Sequence, residues 1–224
     1  MSASRDAVLG NIRGALGRGG LPAESQAALA ERVAAHRRNV IPARAAALDR
    51  AARIDLFSAM AEEVQTTVVR VASADAVAGE VARYLAAENL AAELVMAPDP
   101  ALDGMGWEDR PLLRIRRGRA ESSDAVSVTP CLAAVAETGT LMLTSGPDTP
   151  TTLNFLPDTH IVVVSADQVV ASYEDGWDRV RALQDWPRTV NFITGPSRTG
   201  DIEQRIQLGA HGPRRLHVVL IENG

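Results

Sequence analysis

Lysine is absent from this sequence, so its 23 lysine-plus-arginine positions are all arginine. Without lysine, the chain can form neither a Schiff base with a carbonyl substrate nor the phosphate contact of a Walker-type loop. Cysteine occurs once, as Cys131, whereas an iron–sulfur cluster generally needs four cysteine ligands and a disulfide needs two. The sequence therefore excludes a cluster held by this chain alone and an internal disulfide. The apolar neighbours of Cys131 favour a buried structural thiol.

Metal-binding and membrane-spanning patterns are missing as well. The four histidines show no metal-ligand spacing, such as two histidines separated by three residues, which predicts no intrinsic metal. No apolar run approaches the ~20 residues of a membrane span, and the N-terminal residues lack the apolar core of a secretory signal. We therefore expect a cytoplasmic protein without a membrane span. The net charge of −5 argues against a general nucleic-acid-binding protein.

The N-terminal part of the chain differs in composition from the rest. It is rich in alanine and arginine, and its apolar spacing predicts helices at about 4–17, 24–38 and 47–64. We assign residues 1–65 to a helical extension, which could contact its own domain, a second copy in a homo-oligomer, or another protein.

From residue 66 onward, short β-rich runs alternate with helical patterns. Such alternation predicts an α/β domain at 66–224, with a mainly parallel sheet covered on both faces. The predicted strands are 66–71, 93–97, 112–116, 124–128, 140–144, 160–165, 189–194 and 216–222. The predicted helices are 74–89, 151–155, 173–184 and 199–208.

The segment after the strand at 189–194 has the features of an anion site. The strand ends at Gly195 and Pro196, and Ser197 or Thr199 can then cap the predicted helix at 199–208. Free backbone N–H groups at a helix start bind anions, and Arg198 can clamp a carboxylate or phosphate with two parallel hydrogen bonds. Arg198 could equally pair with an acidic residue on its own helix.

A second polar segment lies between two apolar runs. Glu137 precedes Thr138, Gly139 and Thr140, and Ser145 lies at the far end of the following strand. A carboxylate in a partly desolvated pocket can act as a nucleophile or general acid–base, which makes Glu137 the candidate catalytic residue. Glu137 could instead accept hydrogen bonds from backbone amides and fix the loop.

Histidines at 211 and 217 have different settings. His211 lies among glycines on a loop, where an imidazole can donate to a ligand or transfer a proton. His217 follows the alternation of a strand, which favours a structural role.

Glycine-flanked strand ends suggest one pocket at the carboxyl ends of the strands. Its predicted lining is Glu137, Thr138, Thr140, Ser197, Arg198 and His211.

Four segments, in this order, resemble the lactate utilisation protein C family, also called the LUD domain. They are AETGT at 136–140, LP followed by HIVVV within 156–164, GPSRTGDIE at 195–203 and GAHGPRRLHV at 209–218. The resemblance implies a Rossmann-like sheet akin to the ribose-phosphate isomerase and CoA-transferase group. It also implies a part in oxidising L-lactate to pyruvate, beside two partner proteins that carry iron–sulfur clusters. This chain would be the cluster-free component, with a small anion or an organic cofactor as its ligand.

Two other functions remain open from the sequence, as does whether the isolated chain is catalytic. One is a stand-alone enzyme on a CoA-transferase-like or isomerase-like scaffold, which would use Glu137 on a phosphorylated or thioester substrate. The other is a non-catalytic scaffold or regulatory protein, whose polar loops only stabilise the fold.

Overall fold

A computed structural model describes residues 2–17, 19–38, 40–199 and 207–223. The chain forms two compact units, residues 1–40 and 41–224. The first contains helices α1 (Ser2–Ala15) and α2 (Ala23–Ala35), which confirm the predicted helices at 4–17 and 24–38. Apolar side chains of α1, including Val8 and Ile12, are exposed to solvent.

The second unit begins with α3 (Ala43–Ala46) and α4 (Arg50–Glu63). The carboxylate of Asp49 caps α4 by accepting a hydrogen bond from the Ala52 N–H at 2.8 Å. Phe57 of α4 is fully buried in a core that it shares with strands of the α/β domain. The compact unit therefore takes in a helix that composition alone grouped with the extension at 1–65.

Six strands form a wholly parallel sheet in the order β1-β12-β7-β4-β2-β3. This arrangement confirms the predicted α/β fold with a mainly parallel sheet. The strands of the chain are β1 (Thr67–Val71), β2 (Glu93–Met96), β3 (Arg114–Arg117), β4 (Val126–Pro130), β5 (Ala133–Val135), β6 (Thr140–Thr144), β7 (Thr159–Ser165), β8 (Val169–Val170), β9 (Val190–Ile193), β10 (Arg198–Thr199), β11 (Gln207–Leu208) and β12 (Arg215–Ile221).

A second sheet contains four strands in the order β8-β5-β6-β9. In it, β6 runs antiparallel to both β5 and β9, so the strands predicted at 140–144 and 189–194 lie outside the parallel sheet. Only residues 136–139 connect β5 to β6, which suffices for a hairpin but is too short for the crossover that parallel neighbours need. The very short β5 and β8 were not predicted.

The two sheets and three helices stack in layers. Helix α5 (Val77–Ala87) covers one face of the parallel sheet, where it shares a core with Ile161 and Val163 of β7. The alternate residues Val162 and Val164 belong to the core formed with α4 and the second sheet. Helix α7 (Tyr173–Arg181) packs on the second sheet. The parallel sheet is therefore buried on both faces, which explains its nearly continuous apolar strands.

The segment predicted as a helix at 199–208 has a different structure at both ends. Strands β10 and β11 pair antiparallel there, and residues 200–206 lie outside the described residues. The Ser197 N–H donates to the Pro213 carbonyl at 2.8 Å, and its carbonyl accepts from the Gly209 N–H at 2.9 Å. Because the Ser197 backbone groups pair across the chain and Thr199 lies in β10, neither residue starts the predicted helix, and the Ser197 N–H is not free to bind an anion.

The remaining predicted elements are confirmed close to their expected bounds. The short helix α6 (Thr152–Phe155) and helix α7 match the predictions at 151–155 and 173–184. None of the helices in the described part of the chain combines the length and apolar character needed to cross a bilayer.

Candidate functional site

A cavity of about 260 Å³ lies where β9 ends and where β7 and β12 begin. We call it the Arg198 pocket. Its polar lining residues are Asn154, His160, Thr194, Ser197, Arg198 and His211. Phe155, Phe192 and Leu216 supply apolar walls. The pocket is therefore at the amino ends of two parallel strands, and not at the carboxyl ends as the sequence suggested.

The charges of the Arg198 pocket favour an anion. Among the described residues, its lining includes one arginine but neither aspartate nor glutamate. Arg198 is exposed, and it forms no ion pair with any residue that the structure describes. Arg70, by contrast, contacts the carboxylate of Asp55 at 2.7 Å. The guanidinium of Arg198 is thus available to a carboxylate or phosphate ligand.

The local backbone places Ser197 and His211 together. Gly195 has a φ of +82°, and a Cβ atom there would overlap the carbonyl oxygen of Val64, so glycine lets this turn approach α4 closely. The Ser197 hydroxyl oxygen accepts a hydrogen bond from the His211 N–H at 3.3 Å. Its own O–H remains available to donate to a bound anion.

His160 is a pocket residue that sequence reasoning missed. It is fully buried on β7, its Nε2 lies 2.8 Å from the Thr129 hydroxyl, and its Nδ1 has no hydrogen-bond partner among the described residues. Burial lowers its pKa to about 3, so the imidazole is neutral near pH 7. In the sequence, His160 stands out only as a histidine near the start of an otherwise apolar strand. Its position along the chain gives no indication that it lies beside Arg198.

Four hydroxyl side chains form a hydrogen-bonded cluster beside the pocket. We call Thr138, Thr140, Tyr173 and Thr194 the hydroxyl cluster. The hydroxyl of Thr140 lies 2.7 Å from those of Thr138 and Thr194 and 2.9 Å from that of Tyr173. Thr194 also lines the Arg198 pocket, so its hydrogen bond to Thr140 connects the hydroxyl cluster to one wall of the pocket.

Glu137 lies close to the hydroxyl cluster but is directed toward a helix end. Its side chain is 5% exposed, and its Oε1 accepts from the Tyr173 N–H, the first residue of α7, at 3.2 Å. Ser172 and Asp175 complete a capping box at the same end. A carboxylate here is favoured by the helix dipole. These contacts agree with the alternative in which Glu137 accepts hydrogen bonds from backbone amides. The other carboxylate oxygen, Oε2, has no partner among the described residues.

Substitution of Glu137 tests this capping role. Glu137→Ala should lower the free energy of unfolding by about 1–2 kcal/mol, because it leaves the partly buried Tyr173 N–H without its side-chain acceptor. Glu137→Gln keeps an acceptor oxygen and should cost less than about 1 kcal/mol. Urea unfolding of the three proteins measures both changes. Equal stabilities would contradict the capping role and favour a ligand role for Glu137.

Three further predicted site residues have structural surroundings. Gly139 has a φ of +62° and lies against the backbone of Ala61, so close packing on α4 already accounts for glycine there. Thr199 is buried on β10. Ser145 lies in a different cavity, and its hydroxyl accepts from the Thr189 N–H at 2.9 Å.

That second cavity, which we call the carboxyl-edge cleft, has a volume of about 620 Å³. It lies beyond the carboxyl ends of β2 and β4, and its lining includes Asp99 and Cys131. The chain passes outward from β2 to β3 and returns on the other side of β2 to β4, so the strand order reverses here. Such switch points are common ligand sites in α/β proteins. Burial raises the pKa of the Cys131 thiol to about 12, which leaves it a poor nucleophile at neutral pH.

The six residues predicted to line one pocket are thus divided. Ser197, Arg198 and His211 line the Arg198 pocket, whereas Thr138 and Thr140 belong to the hydroxyl cluster. Glu137 caps α7. The hydrogen bond between Thr140 and Thr194 connects the two groups. Among the described residues, no three His, Cys, Asp or Glu side chains are placed to share a metal ion.

Comparison with known proteins identifies relatives over most of the second unit. Residues 54–221 match the family model of the LUD domain. The chain is 39% identical over 102 residues to a lactate utilization protein C of Deinococcus radiodurans, an alignment that covers 45% of this chain and 48% of that protein. It is 29% identical over 180 residues to a lactate utilization protein C of an Exiguobacterium species, covering 76% and 78% respectively. The first of these alignments thus spans about half of its relative's length.

A solved structure has the same fold. The crystal structure of a DUF162 family protein from Deinococcus radiodurans superposes with a TM-score of 0.58 at 28% sequence identity. The superposition covers 78% of this chain and 99% of that one.

Proposed function

This chain belongs to the LUD-domain family, and from that premise we propose that it takes part in lactate utilisation by binding a small carboxylate in the Arg198 pocket. Two relatives named lactate utilization protein C support the process. The observation that carries the binding proposal is the setting of Arg198. Among the residues that the structure describes, Arg198 has no ion pair and the pocket lining has no carboxylate.

The pocket residues have complementary roles in this proposal. Arg198 neutralises the ligand carboxylate and holds both its oxygens in one plane. The Ser197 O–H donates a further hydrogen bond, because its oxygen already accepts from the His211 N–H. Phe155 and Phe192 provide apolar contacts for the short carbon chain of the ligand. A 2-hydroxy or 2-oxo carboxylate has the polar and apolar parts that this lining can bind.

We assign the electron-transfer step to partner proteins. Oxidising L-lactate to pyruvate breaks the C2–H and O–H bonds and releases two protons and two electrons, and a chain with one cysteine cannot supply the four thiolates of a typical cluster. Iron–sulfur partners would accept the electrons, directly or through an organic cofactor. The position of the carboxyl-edge cleft at the strand-order switch supports that cleft as the cofactor site.

Replacing Arg198 tests the carboxylate site. Arg198→Gln should weaken the binding of L-lactate and pyruvate about ten- to a hundredfold, since losing a charge-assisted hydrogen bond costs roughly 1.5–3 kcal/mol. Isothermal titration calorimetry on the full chain measures the affinities. Arg188→Gln is the matched control, because Arg188 is also exposed but lines the carboxyl-edge cleft. Unchanged affinity in Arg198→Gln, or a loss only in Arg188→Gln, would contradict the assignment.

Growth on L-lactate tests whether the Arg198 pocket is needed for lactate utilisation. Cells carrying Arg198→Gln in place of the wild-type gene should grow more slowly on L-lactate, with equal protein levels and normal growth on glucose. Arg119→Gln cells should retain their growth, because Arg119 is also exposed but lines neither the Arg198 pocket nor the carboxyl-edge cleft. Normal growth on lactate from cells with Arg198→Gln would remove the pocket from the function and favour a scaffold role.

The stand-alone transferase hypothesis has less support. It needs Glu137 as a nucleophile in an open cavity, but neither the Arg198 pocket nor the carboxyl-edge cleft is lined by Glu137. The Glu137 carboxylate is already used at the start of α7.

A further inference from the structure

We propose that His160 makes the Arg198 pocket selective for 2-hydroxy carboxylates over carboxylates that lack the hydroxyl group. The inference rests on the proposed carboxylate site at Arg198 and names the class of ligand that this site prefers. Arg198 binds the carboxylate, and His160 binds the hydroxyl group on the adjacent carbon.

The unsatisfied ring nitrogen of His160 is the starting point. His160 is fully buried and lines the pocket, and its Nδ1 has no hydrogen-bond partner among the described residues. Leaving a buried polar atom unpaired is costly, and such atoms in folded proteins usually have a partner. Nδ1 is also closed to solvent, so a ligand hydroxyl group in the pocket reaches it only after a side-chain rearrangement, whereas the other ring nitrogen is already held by Thr129.

A hydroxyl group suits this nitrogen in either tautomer. If the Thr129 O–H donates to Nε2, then Nδ1 carries the proton and needs an acceptor. If Nε2–H donates to Thr129, then Nδ1 has a free lone pair and needs a donor. A ligand hydroxyl group can donate or accept, so it satisfies Nδ1 in both cases. A methylene group at the same position satisfies neither.

The two recognition residues also differ in charge. Burial holds the pKa of His160 at about 3, so its neutral ring does not compete with Arg198 for the carboxylate. Arg198 stays charged and exposed at the pocket. The charged group of the ligand is therefore directed to Arg198, and the uncharged hydroxyl group to His160.

The test compares L-lactate with propionate, which differ only by the 2-hydroxyl group. On the wild-type full chain, calorimetric titration should give L-lactate an affinity about tenfold higher, the contribution expected of one hydrogen bond to a buried group. Propionate binding depends on Arg198 alone and therefore reports on the carboxylate site separately.

Variants of the two buried histidines identify the residue responsible. In His160→Gln, the side-chain amide can keep the hydrogen bond at the Nε2 position while the Nδ1 atom is lost, so the lactate-to-propionate affinity ratio should fall to about one. His217→Asn is the matched control. His217 is also buried, with Nδ1 2.7 Å from the Thr67 hydroxyl and Nε2 unpaired among the described residues, but it stacks on Tyr84 outside the pocket. Its ratio should stay at the wild-type value.

Nuclear magnetic resonance of the wild-type protein gives a second measurement that needs no variant. With ¹⁵N-labelled histidine, L-lactate should shift the ring nitrogen resonances of His160 more than propionate does, while those of His217 stay unchanged. Equal affinities of the two acids, or a ratio that persists in folded His160→Gln, would overturn the role of His160 and leave the carboxylate site intact. Binding of neither acid to the wild-type chain would instead refute the carboxylate site itself.

Discussion

Acidification from pH 7 to pH 5 is expected to lower the free energy of unfolding by about 3–4 kcal/mol through two buried histidines alone. Burial lowers the pKa of His160 to about 3 and that of His217 to about 4. An unfolded histidine titrates near pH 6.5. Below that pH the unfolded chain binds a proton at each position and the folded chain does not, so stability falls as the pH falls toward the folded-state pKa values.

Urea unfolding at pH 7, 6 and 5 measures this loss. His160→Gln and His217→Asn should each remove about half of the pH dependence, since each replaces one of the two groups. Val219→Ala, on the same strand as His217 and equally inaccessible to solvent, should lower stability at every pH without changing the pH dependence. If both histidine variants kept the full wild-type dependence, the buried histidines would not be its source.

Gly139→Ala is expected to destabilise the protein by about 2–4 kcal/mol, the sum of backbone strain and overpacking. Gly139 has a φ of +62°, and a Cβ atom there would overlap the backbone of Ala61 in α4. The hairpin turn or the helix would have to move, and Phe57 of the same helix is fully buried in the core. No flexible side chain lies at this contact to absorb the change.

Gly104→Ala separates the two causes. Gly104 has a similar φ of +65°, but apart from its chain neighbours no atom of the described residues lies within 4 Å of the position that its Cβ would take. Gly104→Ala should therefore lower the free energy of unfolding only by the backbone strain, about 1 kcal/mol. The difference between the two variants in thermal or urea unfolding gives the cost of approaching α4. Equal losses would show that this contact is not tight.

The family and the class of fold followed from the sequence because they depend on local patterns. Apolar runs of strand length and helical spacing predicted most elements, including α6 and α7, since side-chain periodicity reflects burial on one or two faces. The absence of lysine and the single cysteine excluded whole classes of chemistry through composition alone. The sequence also singled out Ser197, Arg198 and His211, because polar residues beside glycines mark turns near strand ends.

Tertiary structure decided how these residues combine. Strand β6 pairs with β5 and β9 in a second sheet, because a connection of only four residues after β5 allows a hairpin and no crossover. The backbone of Ser197 pairs with Gly209 and Pro213, so it does not start the helix that local capping signals favoured. His160 and Arg198 share a pocket although they lie far apart along the chain, on different sheets. Sequence patterns record which side chains are polar, but only the packing of the two sheets determines which buried polar atoms lack a partner.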